Sequence, residues 1–126
     1  MILIIGGRCQ GKAAYARRLA EEKGYRILDG QQEAWQPDTK AQVLLNVQEW
    51  IRQAVYDGGD LQKLEESLFF DMPELVTLDE VGYGIVPLEK KEREYREAVG
   101  HLGQRLAAEA DTVLRMVCGI PTSIKP

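Results

Sequence analysis

Residues 1–13, MILIIGGRCQGKA, place five apolar residues directly before a segment of the form G-x-x-x-x-G-K. A short apolar run of this kind indicates a strand buried on both faces. Between a strand and a helix, G-x-x-x-x-G-K is typical of a loop whose backbone N–H groups and lysine bind a polyphosphate. The predicted nucleotide-binding residues are Gly6, Gly7, Arg8, Cys9, Gln10, Gly11, Lys12 and Ala13.

Ala13 departs from this motif, because the residue after the lysine is normally a Ser or Thr whose hydroxyl binds Mg²⁺. Catalysis of phosphoryl transfer depends on positioning and charge neutralisation. The missing oxygen should therefore weaken Mg²⁺ binding and slow the reaction more than it weakens nucleotide binding. Either a water replaces the hydroxyl or the loop has lost its catalytic role. A glycine turn with a solvated lysine is the structural alternative.

Apolar runs predict strands at residues 1–5, 25–29, 74–79 and 112–118. Helical patterns lie between them, at residues 12–23, 40–56 and 89–109, with a short helix that begins at Asp60. Strands separated by helices imply parallel pairing with helices covering the sheet. We predict a single α/β domain over residues 1–126, with a mainly parallel sheet of about four strands, and we expect regular structure to end at residues 119–121.

Two further carboxylates follow predicted strands. Asp29 comes after Ile27-Leu28, and Glu80 comes after the strand at residues 74–79. Ligands in open parallel sheets bind beyond the carboxyl ends of the strands, so these side chains should share an edge with the loop. Asp29 is either a Mg²⁺ ligand or a turn-forming or helix-capping residue.

Composition limits the possible functions. The 126 residues carry a net charge of −4, with 29% charged and 44% hydrophobic residues. An acidic chain argues against broad nucleic-acid binding, and no apolar run reaches the length of a membrane span. Two cysteines are too few for a disulfide framework, and we expect a cytoplasmic protein.

Several segments resemble one enzyme family. Residues 80–87, EVGYGIVP, are similar to a signature of the bifunctional adenosylcobinamide kinase/adenosylcobinamide-phosphate guanylyltransferases of cobalamin biosynthesis. Residues 1–8 and 103–113 resemble other segments of that family in the same order, as do Gly119-Ile120-Pro121 and Lys125. The resemblance implies a P-loop, RecA-like fold. It also places residues 74–79 and the C-terminal strand on either side of the first strand, with residues 26–29 at the edge.

The resemblance also implies roles for particular residues. Lys12 would bind the phosphates of ATP or GTP, Asp29 would bind Mg²⁺, and Glu80 would orient the metal or the nucleophile; these three are the catalytic candidates. Tyr83 and Gly84 would contact the substrate, a cobinamide or related corrinoid, although Tyr83 is equally explained as an exposed loop residue. Family enzymes form small homo-oligomers, so a homo-oligomer is possible for this chain as well.

The chain departs from the family pattern by a segment that is missing between the first helix and Asp29, and at several single positions. The segment that carries the guanylylated histidine in the family has no counterpart here, and His101 is predicted to be a surface or packing residue of the long helix. Residues 30–73 are divergent, and Gln10, Ala13 and Gly103 replace residues typical of the family. The leading function is an ATP- or GTP-binding protein of this family that, if active, phosphorylates a cobinamide hydroxyl without histidine-dependent guanylyl transfer. The alternatives are a catalytically degenerate nucleotide- or corrinoid-binding regulatory or assembly protein, and a kinase for a different alcohol.

Overall fold

The computed structural model describes residues 1–36, 40–81 and 89–126. The helices there are α1 (Lys12–Lys23), α2 (Val47–Tyr56), α3 (Leu61–Phe70) and α4 (Lys90–Glu109). The strands are β1 (Ile2–Gly6), β2 (Ile27–Asp29), β3 (Val43–Leu45), β4 (Leu75–Asp79), β5 (Thr112–Val117) and β6 (Ile120–Lys125).

Within the described residues, the six strands form one sheet in the order β2-β3-β4-β1-β5-β6. The first five pair in parallel, and β6 runs antiparallel to β5. In this register Gly6 lies opposite Asp79 on one side and Met116 on the other. The carboxyl end of β1, where the glycine-rich loop begins, is therefore enclosed by the ends of β4 and β5.

Helices bury both faces of the sheet. Successive residues of a strand point to opposite faces, so neighbours in one strand pack in different cores. Leu3 belongs to a core with residues of α2, α3 and α4, whereas the next residue, Ile4, packs with Ala16 and Ala20 of α1. In β3, Leu44 packs in the same core as Leu3, whereas its neighbours Val43 and Leu45 pack in the same core as Ile4. This explains why the strands are continuous apolar runs rather than alternating ones.

The prediction of one helix over residues 40–56 is wrong in its first part. Residues 43–45 form β3, Asn46 adopts a left-handed conformation with φ 56°, and the helix begins at Val47. A three-residue apolar run fits both periodicities, and pairing with β2 and β4 decides between them. Residues 26–29 do lie towards the edge, as β2, but β3 separates them from β4.

The sheet also contains more strands than predicted, because regular structure does not end at residues 119–121. Cys118 and Gly119 have positive φ values of 50° and 76°, the geometry of a two-residue hairpin turn. The chain then returns as β6 beside β5. Pro121 is compatible with β6 because this strand lies at the edge of the sheet.

Other local predictions agree with the structure. Gly24 ends α1 with φ 67°, and Asp60 caps α3 by accepting a hydrogen bond from the Lys63 N–H. The helix predicted at residues 89–109 is α4, and its apolar stripe is buried: Tyr95, Val99, Leu102 and Leu106. In the part of the chain that is described, none of the helices combines the length and apolar character that a membrane span requires.

Candidate functional site

The glycine-rich loop connects β1 to α1 in a conformation that its glycines permit. A Cβ on Gly6 would lie 2.6 Å from the carbonyl oxygen of Met116, so a larger residue would force β1 and β5 apart. Gly11 is the N-terminal cap of α1 and has φ 97°. Cys9 also has a positive φ, 61°. The loop thus turns sharply and leads into the first turn of α1, where free N–H groups favour an anion.

Lys12 is held inside this loop. Its side chain is 5% exposed, and its Nζ donates to the Gly7 carbonyl oxygen at 2.6 Å. The same Nζ lies 2.8 Å from Oδ1 of Asp79, the last residue of β4, whose side chain is 17% exposed. A phosphate that binds Lys12 would therefore compete with the Asp79 carboxylate. Asp79 is not among the site residues predicted from the sequence.

The loop is also attached to the β5–β6 turn. Gln10 Oε1 accepts a hydrogen bond from the Cys118 N–H at 2.7 Å, and the Gln10 carbonyl accepts one from the Gly119 N–H at 2.9 Å. A Cβ on Gly11 would lie 3.1 Å from Gly119 Cα. Gln10 therefore anchors the loop to the neighbouring strands, a role that the sequence pattern alone did not indicate.

Two cavities meet at this edge of the sheet. The first, the loop cavity, has a volume of about 530 Å³, and the second, the adjoining cavity, about 450 Å³. Both are lined by Arg8, Gln31 and Asp79. The loop cavity is otherwise lined by Cys9, Gln10, Gly11, Lys12, Ala13, Ala14 and Asn46, and the adjoining cavity by Glu49, Arg52, Glu80, Val81, Glu92, Tyr95 and Arg96.

Asp29 lies at the same edge but makes different contacts. Its Oδ1 accepts hydrogen bonds from the Gln31 N–H and from Asn46 Nδ2, each at 2.9 Å, and its Oδ2 accepts one from Arg17 at 2.9 Å. It is 5% exposed and is not among the residues that line the two cavities. The role of Asp29 as a Mg²⁺ ligand stays a prediction, and these contacts are those of a residue that joins α1, β2 and β3.

Two buried amides connect Asp29 to the end of β4. Asn46 Oδ1 accepts a hydrogen bond from Gln48 Nε2 at 3.4 Å, and Gln48 Oε1 accepts one from the Asp79 N–H at 3.1 Å. The Asn46 N–H donates to Thr77 Oγ1 in β4 at 2.8 Å. Sequence reasoning missed both amides because it assigned them to the interior of a helix. An Asn directly after an apolar run was the available signal, since Asn tolerates the left-handed conformation.

Glu80 is close to the loop but is already paired. Its N–H donates to the Gly6 carbonyl, and its carboxylate binds Arg115 of β5 through two hydrogen bonds of 2.8 and 3.2 Å. This bidentate pair ties the segment after β4 to β5. Glu80 also lines the adjoining cavity, and its role in orienting metal or nucleophile stays a prediction.

The adjoining cavity has a charged and aromatic wall built by α2 and α4. The Arg52 guanidinium lies 4.1 Å from the centre of the Tyr95 ring and 3.4 Å from Glu92 Oε2. The Tyr56 hydroxyl donates to the same oxygen at 2.6 Å, and this hydrogen bond, with Arg52, lowers the pKa of Glu92 below its ordinary value. Burial raises the pKa of Tyr95. The wall thus keeps a carboxylate ionised beside the cavity.

Other residues of interest lie on α4, in the core or outside the described part of the chain. Tyr83 and Gly84 lie outside the described residues. His101 is exposed on α4 and lines neither of the two cavities at the loop. Trp50 is buried, and Trp35 packs edge-on against it with ring centres 5.0 Å apart.

Residues that suit a resident metal ion are few. Across residues 1–36, 40–81 and 89–126, no three His, Cys, Asp or Glu side chains are grouped as metal ligands. Mg²⁺, however, commonly keeps several waters and binds through one or two carboxylates together with substrate phosphates. Asp79 in the loop cavity fits that requirement, and the Ala13 side chain supplies no oxygen.

A third cavity, of about 810 Å³, lies at the opposite end of the strands. It is lined by Gln42 and Glu74, which precede β3 and β4, and by residues of α3 and the α3–β4 connection. It is therefore separate from the loop and its lysine.

Comparison with protein families matches residues 35–124 to the model described as CobU, cobinamide kinase / cobinamide phosphate guanyltransferase. The match covers more than half of the chain and spans most of the middle region that the sequence pattern marked as divergent. The glycine-rich loop precedes the matched residues, so its role rests on its own sequence and geometry.

Two curated proteins are also similar. The bifunctional adenosylcobalamin biosynthesis protein CobU of Salmonella typhimurium is 51% identical over 51 residues, which cover 40% of this chain and 28% of the relative. The protein of the same name from Escherichia coli is 32% identical over 81 residues, covering 55% of this chain and 45% of the relative. The aligned parts thus span less than half of either relative.

Proposed function

Because the chain belongs to the cobinamide kinase / cobinamide phosphate guanyltransferase family, we propose that it binds ATP or GTP in the loop cavity and phosphorylates a hydroxyl of cobinamide. The observation that carries this proposal is the buried Lys12, which projects into a preformed loop beside a second cavity. Nucleotide phosphates would replace Asp79 as the partner of its Nζ.

Nucleotide binding would use the loop as a whole. Backbone N–H groups of residues 6–13 and the first turn of α1 would contact the phosphates, and Lys12 would neutralise part of their charge. The contacts of Gln10 with the β5–β6 turn would hold the loop in place before the ligand arrives, which reduces the ordering cost of binding.

Mg²⁺ would bridge phosphate oxygens and neutralise charge that develops during transfer. We favour Asp79 over Asp29 as the protein carboxylate near this ion. Asp79 lines the loop cavity and would be released when Lys12 turns towards phosphate, whereas both oxygens of Asp29 already accept hydrogen bonds. Ala13 would leave one more position for water.

The adjoining cavity would hold the acceptor. A volume of about 450 Å³ suits a drug-sized group, so it would take the arm of a corrinoid that carries the hydroxyl rather than the whole macrocycle. Tyr83 and Gly84 remain proposed contacts for this substrate. Guanylyl transfer through a histidine is not part of the proposal, because His101, the single histidine, is exposed on α4 away from both cavities.

The test combines calorimetric titration with a turnover assay. Wild type should bind ATP or GTP and phosphorylate cobinamide in the presence of Mg²⁺. Lys12→Ala should weaken nucleotide binding about 10- to 150-fold, since a hydrogen bond to a charged group contributes about 1.5–3 kcal/mol. Lys23→Ala, an exposed change at the other end of α1, is the matched control and should bind normally.

A second candidate is a nucleotide- or corrinoid-binding protein that does not transfer phosphate. Ala13 favours it, since the loop lacks the usual Mg²⁺ ligand. Nucleotide binding that ignores Mg²⁺, together with no phosphorylation of cobinamide, would select this candidate. Equal loss of binding in Lys12→Ala and Lys23→Ala would contradict both.

A further inference from the structure

Arg8 lies where the loop cavity and the adjoining cavity meet. Three residues line both: Asp79, Gln31 and Arg8. Asp79 is an anion bound to Lys12, and Gln31 is neutral. Arg8 is therefore the cation that both cavities share, and a group that passes from one to the other must pass close to its side chain.

The Arg8 side chain is also available. It is exposed and makes no hydrogen bond or ion pair with another described residue, whereas Arg52, Arg96 and Arg115 nearby are all engaged. Arg8 and Lys12 both line the loop cavity, so an anion bound there would meet two positive side chains. A planar guanidinium matches the spacing of two phosphate oxygens, which a lysine ammonium does not.

A positive charge on this loop would compensate for the missing Mg²⁺ ligand. Transfer of a phosphoryl group spreads negative charge over its three equatorial oxygens, and a loop Ser or Thr normally fixes the metal that offsets it. Ala13 removes that oxygen. The Arg8 guanidinium stands on the same loop and can supply positive charge on the side of the acceptor.

We propose that Arg8 is a catalytic residue that binds the phosphoryl group during its transfer from nucleotide to acceptor. This inference rests on the proposed function. In the step, the bond from the γ-phosphorus to the bridging oxygen breaks and the nucleoside diphosphate leaves. A bond forms from that phosphorus to the acceptor hydroxyl oxygen, whose proton passes to water. Arg8 contacts the equatorial oxygens and stays protonated throughout.

The experiment compares binding of ADP and GDP in the presence and absence of aluminium fluoride, which mimics the transferring phosphoryl group. Calorimetry is performed on wild type, Arg8→Ala, Arg8→Lys and the control Arg18→Ala, an exposed arginine of α1 that lines neither cavity. Wild type and Arg18→Ala should bind the diphosphate at least tenfold more tightly with aluminium fluoride. Arg8→Ala should lose most of this gain, with a much smaller change in affinity for the diphosphate alone because the backbone N–H of residue 8 remains, and Arg8→Lys should recover part of it.

The inference would be overturned if Arg8→Ala kept the full gain, or if it lost affinity for the diphosphate to the same extent without aluminium fluoride. Binding and the fluoride gain without phosphorylation of cobinamide would overturn the proposed acceptor and leave Arg8 in its role. A wild-type protein that bound neither nucleotide would overturn the proposed function and this inference together.

Discussion

Asp29 and Asp79 end two parallel strands of the same sheet, yet the fold surrounds them differently. Asp29 accepts three hydrogen bonds, from Arg17, Gln31 and Asn46. The side chain of Asp79 lines the loop cavity and is paired with Lys12. The partners of a carboxylate at the end of a strand therefore decide whether its oxygens are all engaged or face a cavity. Position in the sequence motif does not decide this.

The largest expected effect is on stability at Asp29. Asp29→Ala should lower the free energy of unfolding by about 3 kcal/mol, because it leaves the buried Asn46 amide and a backbone N–H without an acceptor. Chemical denaturation measures this loss. Asp29→Asn keeps an oxygen for two of the three bonds and should cost less. Equal stability of wild type and Asp29→Ala would show that these contacts contribute little.

Gln48 tests the connection between the two aspartates. Gln48→Met keeps similar volume but removes the acceptor of the Asp79 N–H and the donor to Asn46. We expect a loss of about 1–2 kcal/mol in the free energy of unfolding. Gln53→Met, an exposed change on the same helix, is the control and should be nearly neutral. A similar cost for both substitutions would contradict the buried connection.

Substitution of Asp79 should change nucleotide affinity more than it changes the free energy of unfolding. Asp79→Asn removes the negative charge that competes with phosphate for Lys12, so nucleotide affinity without Mg²⁺ should rise about tenfold, or 1.4 kcal/mol. The effect of Mg²⁺ on affinity should become smaller at the same time. Titration with and without Mg²⁺ measures both, with the exposed Asp71→Asn as control. Weaker binding without Mg²⁺ would argue against competition.

Substitution of Ala13 tests whether the loop contributes to Mg²⁺ binding beside Asp79. Ala13→Ser should increase the gain in nucleotide affinity on adding Mg²⁺ several-fold, about 1 kcal/mol, because it restores a hydroxyl ligand beside Asp79. The same titrations measure it. If neither affinity nor metal dependence changes, the loop does not hold a metal-bound nucleotide in the usual way.

Substitution of Glu92 should have the smallest effect on the free energy of unfolding, and that effect should depend on pH. Its pKa in the folded protein is lowered, chiefly by the Tyr56 hydrogen bond, so the ionised form stabilises the fold above its ordinary pKa of 4.5. This contribution is lost as the pH falls through the lowered value. Glu92→Gln should cost about 0.5 kcal/mol at pH 7 and nothing at the acid end. A constant difference across pH, or the same behaviour in the exposed Glu97→Gln, would contradict it.

Much of the fold follows from local patterns. The apolar runs of β1, β4 and β5 and the stripe of α4 are long enough for one periodicity to dominate. The β3 strand was mistaken for helix because three apolar residues satisfy either period, and its partners Leu28 and Val76 are far away in the chain. The β6 strand was missed because its turn, Cys118-Gly119, precedes a proline that normally discourages strands.

For the site, the motif alone was enough to predict the loop and Lys12 as candidates, since glycine spacing and a lysine have a meaning within a few residues. The partner of Lys12 depends on which strand lies beside β1, and only the assembled sheet brings Asp79 there. The same assembly satisfies Asp29 through Asn46 and places Arg8 between two cavities. Backbone conformation is encoded locally, whereas the neighbours that set charge, burial and accessibility come from distant parts of the chain.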